Sequence, residues 1–376
     1  MDAVVVGGGI GGLAAAVGLR AAGWEVTVLE QAPEITGVGA GISLWPNAQR
    51  CLDVLGVQAH LQEQRDGGLR DKKGRRITGW DATAFERHHG LPLAAIHRRD
   101  LVDALTRALP EDSLKTGAEV TEVREDGFVR YTGGELQADL VVAADGIHSR
   151  LRQSPQEPVY SGSTAFRGVA HRPGTPLSTS WDRGTEIGVL PLTGGDVYWW
   201  ISYVVRAGER PADVKAYLKG HFGGWHDPIP ALIDATPAEN ILHHDLSYLG
   251  TPLDTYVRGR IALLGDAAHA MPPFLGQGGC QALEDAVVLA HAVSTEDTTE
   301  KALRRYDEER RPRSQKVAHD SVRAGKIGPQ LTNPVATALR NAILRLTPAK
   351  ATAKIGAGVS GWQPPGLPRP DRPRTP

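Results

Sequence analysis

Gly7-x-Gly9-x-x-Gly12 narrows what this chain can become more than any other feature. It follows the valine-rich run from Ala3 to Val6 and opens an alanine-rich stretch from Leu13 to Ala22. The next apolar run, Trp24 to Leu29, ends at Glu30, so the order is that of a βαβ unit with an acidic end to its second strand. Gly7 permits the tight turn, Gly9 lets backbone N–H groups approach a diphosphate, and Gly12 lets helix and strand pack closely. The helix start adds partial positive charge, and Glu30 can accept from ribose hydroxyls. The bare pattern carries little by itself. Gly356-Ala-Gly358-Val-Ser-Gly361 also fits it, but that copy has no strand signal before it and runs into a proline-rich end. The expectation is an α/β fold whose first domain binds a dinucleotide.

Composition removes several other classes. Forty-two basic side chains face 43 acidic ones, which leaves no net cationic field to gather nucleic acid or anionic lipid. Cys51 and Cys280 lie far apart without metal spacing, so neither a disulfide framework nor a zinc site is expected. A reducing, cytoplasmic setting follows as an expectation. His269 and the pair His243-His244 suggest no metal site either, because strand neighbours point to opposite faces. No secretory pattern opens the chain, and no uncharged apolar stretch reaches the ~18 residues of a membrane span.

Glycine, at 44 of 376 residues, exceeds the usual ~7%, and its distribution divides the chain. From about Gly162 to Leu253 the texture becomes β-rich and aromatic, with Glu186 to Leu190 and Val197 to Val205 alternating like strands. Glycine-rich sequence returns at Arg260 to Gly279, before a helical pattern from Gln281 to Val293. The expected organisation is therefore a discontinuous dinucleotide domain (1–70, 97–165 and 254–330) closing around a second domain (71–96 and 166–253). A helical segment (331–361) and a proline-rich tail (362–376), extended or disordered, complete it. Within the charged helix from Lys301 to Lys326, residues Glu308, Glu309, Arg310 and Arg311 are expected on a solvated face.

Two further motifs separate FAD from NAD. Asp145-Gly146 closes one strand, and Gly265-Asp266 ends another before Pro272-Pro-Phe-Leu-Gly-Gln-Gly-Gly279. A carboxylate at a strand end can accept from a polyol such as a ribityl chain, which a nicotinamide dinucleotide lacks. Gly276, Gly278 and Gly279 let the backbone lie against a flat ring. The helix beginning near Cys280 points its first N–H groups the same way, where they would stabilise a reduced flavin's negative charge. The competing role is a strand-turn-helix corner capped by aspartate. For Cys280, packing beside the ring competes with an activated thiol.

With these residues the chain resembles the single-component FAD-dependent aromatic hydroxylases of the para-hydroxybenzoate hydroxylase type. The likeness rests on GGGIGGLAAAVGLRAAGWEVTVLEQAPE, the Asp145-Gly146 segment and GRIALLGDAAHAMPPFLGQGGCQALEDA, and reaches to about residue 320. Gly37 to Asn47 and His221 to Trp225 resemble, more narrowly, the salicylate, 6-hydroxynicotinate and urate hydroxylase branch. The resemblance implies a glutathione-reductase-type, Rossmann-like FAD domain with an inserted β-sheet substrate domain. By matching motif it implies FAD contacts at Gly7, Gly9, Gly11, Gly12, Glu30, Gln31, Ser43, Arg98, Val120, Asp145, Asp266, Gly276, Gln277, Gly278, Gly279 and Cys280. Arg99 is the register alternative to Arg98.

The implied reaction uses NADH or NADPH to reduce FAD. Dioxygen then adds at flavin C4a, and the resulting hydroperoxide hydroxylates a small aromatic or heteroaromatic molecule. Tyr198 matches a pocket tyrosine that would orient substrate; its competing role is a strand aromatic. The arginine that the urate branch sets against its substrate falls at Glu186, which inverts the charge. Trp45, Trp199, Trp200, Pro273 and Phe274 are candidate pocket walls, with core packing as the competing role of the tryptophans. An NAD-dependent dehydrogenase and a non-catalytic flavin-binding protein remain alternatives, and either a monomer or a homodimer is compatible. A halogenase is set aside, since no Gly-Trp-x-Trp-x-Ile-Pro motif occurs.

Overall fold

The structure is a computed structural model that describes residues 1–35, 40–152, 156–348 and 357–367. Gly37 and Gly39 of the sequence analysis, and the tail beyond 367, lie outside the described residues.

A six-stranded sheet forms the first domain. Asp2–Val6 pairs in parallel with Glu25–Leu29 on one side and Leu140–Ala143 on the other, with Ala3 opposite both Val26 and Leu140. Leu114–Lys115 flanks Glu25–Leu29 at one edge; Ile261–Leu263 and the antiparallel Val257–Arg258 complete the other. Parallel strands are covered on both faces, which is why these read as continuous apolar runs rather than alternating ones. Helix Ile10–Ala21 covers the sheet and packs on the long helix Gly278–Thr295.

The second sheet has seven strands, in the order Leu242–Tyr248, Val159–His171, Asp196–Val204, Thr185–Pro191, Ser178–Asp182, Gly68–Asp71 and Arg76–Gly79. Its pairs are antiparallel except where Ser178–Asp182 meets Gly68–Asp71. Alternation gives it two unlike faces. Phe166, Ile187, Trp199 and Ile201 pack against Leu218, Phe222, Leu232 and Ile233 of two short helices. The opposite face carries Arg167, Glu186, Tyr198 and Trp200 and turns toward the first domain. There a Cβ at Gly41 would lie 2.6 Å from the Cβ of Tyr198.

Two features depart from the sequence reading, and a third adds contacts to a tail expected to be extended or disordered. Strand Val159–His171 runs unbroken through residue 165, where a domain boundary was expected, because the change in composition marks altered surroundings and not a break in the chain. Arg310 is fully buried rather than solvated. In helix Thr299–Ile327 it falls on the stripe of Leu303, Tyr306, Ser314 and Val317, at three- and four-residue steps, so helical phase overrides the charge run around it. Residues 362–367 of the tail lie extended against the first domain, with the Trp362 ring 5.9 Å from the Arg310 guanidinium and 5.3 Å from that of Arg313. Arg50 donates to the Ser360 carbonyl at 2.9 Å, and His291 Nδ1 lies 2.8 Å from the Gly366 carbonyl oxygen. Among the described residues no helix is long and apolar enough to cross a membrane, and no group of side chains is arranged to hold a metal.

Candidate flavin and substrate site

The first glycine turn leaves space in one place and none in others. Gly7 has φ of 107°, and a Cβ on Gly12 would overlap the Gly7 carbonyl. At Gly9, which precedes helix Ile10–Ala21, a Cβ would meet no protein atom within 4 Å. That open space before a helix N-terminus fits a diphosphate. Glu30 accepts from Gly8 N–H at 2.6 Å and Ala32 N–H at 2.8 Å, so it braces the loop from behind. Gln31 is exposed beside it. A Cβ on Gly11 would come within 2.7 Å of Leu264 Cδ2, which brings the first motif against the third.

The aspartate turns sit at the ends of neighbouring strands. Asp145 Oδ2 accepts from Arg150 N–H at 3.0 Å, while its Oδ1 is buried without a partner. Asp266 is exposed at the start of Asp266–His269. Arg152, a residue the sequence reading passed over, ties the two turns together. It is 4% exposed, and it donates from Nε to the Ala267 carbonyl at 2.8 Å and from Nη2 to the Gly146 and Ile147 carbonyls. Burial lowers its pKa, and the charges of Asp145 and Asp266 oppose that. Nothing in Ser149-Arg-Leu-Arg152 distinguishes it from its exposed neighbour Arg150.

The third motif closes over Ser43 and Trp45. Gly276 has φ of 61°, and a Cβ there would lie 3.1 Å from Ser43 Oγ and 3.2 Å from Trp45 Nε1. The Cys280 thiol is buried 3.8 Å from the Ser43 carbonyl oxygen and 3.7 Å from that of Gly276. Burial pushes it up to about 12, so it stays protonated and packs rather than reacts. Gly278 and Gly279 begin the long helix, half-buried. Gln277 turns its side chain inward, accepting from Asn47 Nδ2 at 3.1 Å and Gln281 Nε2 at 3.3 Å, which leaves its backbone for the outer side.

Beneath this loop lies a buried ionic network absent from the sequence reading. Arg310 pairs with Asp285 at 2.7 Å and Glu284 at 2.6 Å, and Arg313 meets Glu284 at 2.6 Å. Asp285 Oδ2 also accepts from Gly265 N–H at 2.9 Å and lies 2.6 Å from His269 Nε2. Burial alone would raise Asp285; His269 and Arg310 outweigh it and bring the carboxyl down to about 2. The network therefore clamps the Gly265-Asp266 turn from within. Its partners are 16 to 29 residues apart in sequence, with no motif linking them.

Arg98 and Arg99 part company at the start of helix Arg98–Arg107. Arg99 pairs with Asp100 at the surface, 3.3 Å away, whereas Arg98 donates its backbone N–H to the Ala40 carbonyl at 2.8 Å. Burial raises the Tyr198 phenol, and the charges of Arg167 and Arg98 oppose the rise. Val120 is half-buried at the start of Val120–Val123, in a separate three-stranded sheet.

On the substrate-domain face Tyr198 and Trp200 stack, with ring centroids 5.5 Å apart and planes at 29°. The Trp200 indole lies over Gly188, where any Cβ would overlap it. Trp200 Nε1 donates to Glu186 Oε1 at 2.9 Å, and Trp181 Nε1 donates to Oε2 at 2.8 Å. Burial raises the Glu186 carboxyl, and the two indoles only moderate it. Trp199 is not a wall of this site. Strand alternation sends it to the opposite face, where its Nε1 donates to Thr236 at 2.9 Å inside the core. Trp45 packs edge-on to Phe85 at 5.9 Å; Phe274 rests on Gly325, and Pro273 is exposed.

A glycine turn open to a diphosphate, packed against the Asp145 turn and joined to a second sheet with an aromatic face, defines a two-domain protein of the dinucleotide-binding class. The chain belongs to the family described as FAD binding domain, whose model matches residues 1–171 and 244–321. It is 39% identical over 365 residues to the Aurachin C monooxygenase/isomerase of Stigmatella aurantiaca, covering 92% of this chain and 94% of that protein. It is 35% identical over 335 residues to an FAD-dependent urate hydroxylase of Klebsiella pneumoniae, covering 82% and 86%. Among solved structures, Klebsiella pneumoniae HpxO complexed with FAD and uric acid superposes with a TM-score of 0.89 at 29% identity, covering 96% of each chain.

Proposed function

We propose that the protein is an FAD-dependent monooxygenase that uses NADH or NADPH and O2 to hydroxylate an electron-rich heteroaromatic small molecule. The observation that carries this is the packing of Gly41 on Tyr198, which sets the Ser43–Gly276 glycine loop and the Tyr198–Trp200 face side by side at one domain junction. Its relatives are monooxygenases and hydroxylases, which sets aside the dehydrogenase and non-catalytic alternatives.

Bound FAD, once reduced, activates dioxygen and supplies one oxygen atom to the substrate; the protein's work is to bind, orient and exclude water. In our assignment the Gly7, Gly9, Gly11 and Gly12 backbone and the helix behind it hold the diphosphate. Glu30 and Gln31 border the adenosine side. Asp266, exposed and unpaired, accepts from the polyol, and Asp145 supports the diphosphate region with its free Oδ1. Ser43, Arg98, Val120 and residues 276–280 border the remainder of the cofactor, and the first N–H groups of helix Gly278–Thr295 face the ring. Tyr198 orients the substrate, and Trp200 and Phe274 wall it. Urate, an anion, has the wrong charge for Glu186, so a neutral ring is the better candidate. We place the enzyme in the cytoplasm, as monomer or homodimer, where its two free cysteines stay reduced and NAD(P)H is supplied.

The purified protein should be yellow and contain FAD. Aromatic acids, purines, N-heterocycles and phenolic polyketides screened for stimulated NAD(P)H oxidation should yield a product heavier by one oxygen. A colourless protein that cannot be reconstituted, or one that makes only hydrogen peroxide with every substrate, refutes the proposal.

A further inference from the structure

Arg167, Trp200 and Glu186 stand on three adjacent strands of the seven-stranded sheet, on the face turned to the first domain. Trp200 is directly opposite Arg167 on one side and Gly188 on the other, and Glu186 is two residues from Gly188 on the same face. Arg167, Glu186 and Tyr198 are each half-buried on that face, so they stay accessible to a ligand instead of filling a core. Two indoles occupy one acceptor position on each Glu186 oxygen and leave the others open. Among the described residues Glu186 meets no cation, and the Arg167 side chain has no ion pair or hydrogen bond. Buried charges are ordinarily paired. Here a carboxyl and a guanidinium stand on one face of the sheet, two strands apart, without pairing with each other, which leaves both for a ligand between them.

Resting on the monooxygenase reading above, we infer that Glu186 and Arg167 form a two-ended specificity pair. Glu186 accepts a ring N–H, and Arg167 donates to a carbonyl or phenolate oxygen at the far edge of the same ring. The ring lies on the Trp200 and Tyr198 floor. Strands are spaced ~4.8 Å apart and rise ~3.4 Å per residue, so two strand steps and two residues put the backbones of Arg167 and Glu186 ~12 Å apart, near enough for the two side chains to reach opposite edges of one flat ring. The substrate class is therefore a neutral N-heteroaromatic in its lactam form, with N–H and C=O on opposite edges. A ring carboxylate at the Glu186 end is rejected by like charge.

The test uses FAD-loaded enzyme and three probes: 4-pyridone, N-methyl-4-pyridone and terephthalate, whose two opposed carboxylates oblige one of them to face Glu186. Binding is followed by perturbation of the flavin absorbance and, independently, by quenching of tryptophan emission. Wild type should bind 4-pyridone about tenfold tighter than either other probe, because a donor missing opposite a buried acceptor costs about that much. Glu186→Gln should cut the N–H preference to about threefold or less, whereas Glu186→Asp, which keeps the carboxylate, should retain most of it. Glu186→Arg should bring terephthalate binding up about tenfold. Arg167→Met should weaken both pyridones equally and leave their ratio unchanged. The inference is overturned if wild type fails to bind 4-pyridone or prefers terephthalate, or if Glu186→Gln keeps the full preference with a normal flavin spectrum. These ratios are read without turnover. An enzyme that shows them but has no ligand-stimulated NAD(P)H oxidation contradicts the monooxygenase reading and leaves the specificity pair standing.

Discussion

Asp285 and Glu186 are both carboxylates enclosed by protein, and they have been treated in opposite ways. Asp285 is met by a guanidinium, an imidazole and a backbone N–H, and its carboxyl is held down at about 2. Among the described residues Glu186 is met only by two neutral indole donors, and burial drives its carboxyl upward. A buried charge with its partners built in serves the fold, because the cost of desolvation is offset before any ligand arrives. A buried carboxylate without a cation is maintained at a cost to stability, and such costs are tolerated where a ligand is recognised. The first sits beneath the flavin loop and clamps it. The second stands half-buried on the Tyr198–Trp200 face.

The largest effect expected from this contrast is at Arg310. Arg310→Met strands Glu284 and Asp285 without their shared buried cation and should cost about 3–5 kcal/mol in chemical denaturation. A loss under ~1 kcal/mol would mean that the network is not the clamp described here. Next is acid sensitivity. The folded pKa of Asp285 lies below the ~3.9 of an unfolded chain, so its pairing stabilises the protein above about pH 4. That contribution, about 2–3 kcal/mol, is lost as pH falls toward about 2, and thermal unfolding of Asp285→Asn should lack this share of the acid slope. Glu186 has the reverse sign: its raised carboxyl favours the folded state when protonated, so stability falls as pH rises through ~4.3 into its raised range.

A smaller effect separates floor from core. Gly188→Ala places a methyl group where the Trp200 indole lies and should cost roughly 1–3 kcal/mol while displacing the hydrogen bond to Glu186. Flavin content should survive, and substrate-stimulated NAD(P)H oxidation should not. The smallest effect is at the arginine pair. Arg99→Ala breaks an exposed contact with Asp100 and should shift stability by no more than ~0.5 kcal/mol, without changing FAD content. Arg98→Ala should weaken FAD retention measurably, and equal behaviour of the two variants would reopen the choice of register.

Much of the first domain was legible because its demands are local. A turn with φ of 107° at Gly7 and a contact too close for a Cβ at Gly12 each require glycine at a fixed distance from the strand before them. The strand Asp2–Val6 and the helix Gly278–Thr295 followed in the same way from the apolar run Ala3 to Val6 and the helical pattern from Gln281 to Val293. Arg310 was misplaced because five consecutive charges, Asp307 to Arg311, mask helical phase, and the partner stripe becomes visible only with the neighbouring helix in place. Trp199 and Trp200 are identical in sequence context; a strand's two-residue period sends them to opposite faces, and only the register of Val159–His171 against Asp196–Val204 says which face is the core.

The sequence by itself determined the glycine turns, the aspartate turns, the two-domain order and the family to which they belong. Backbone geometry of that kind must be encoded at the positions where it occurs. Tertiary structure alone decided that Arg310 is buried, that Arg152 ties two motifs together, and that Glu186 faces two indoles without a cation. Those facts depend on partners brought together from separate strands and helices, and hydrogen bonds across such distances leave no spacing in the chain to be read.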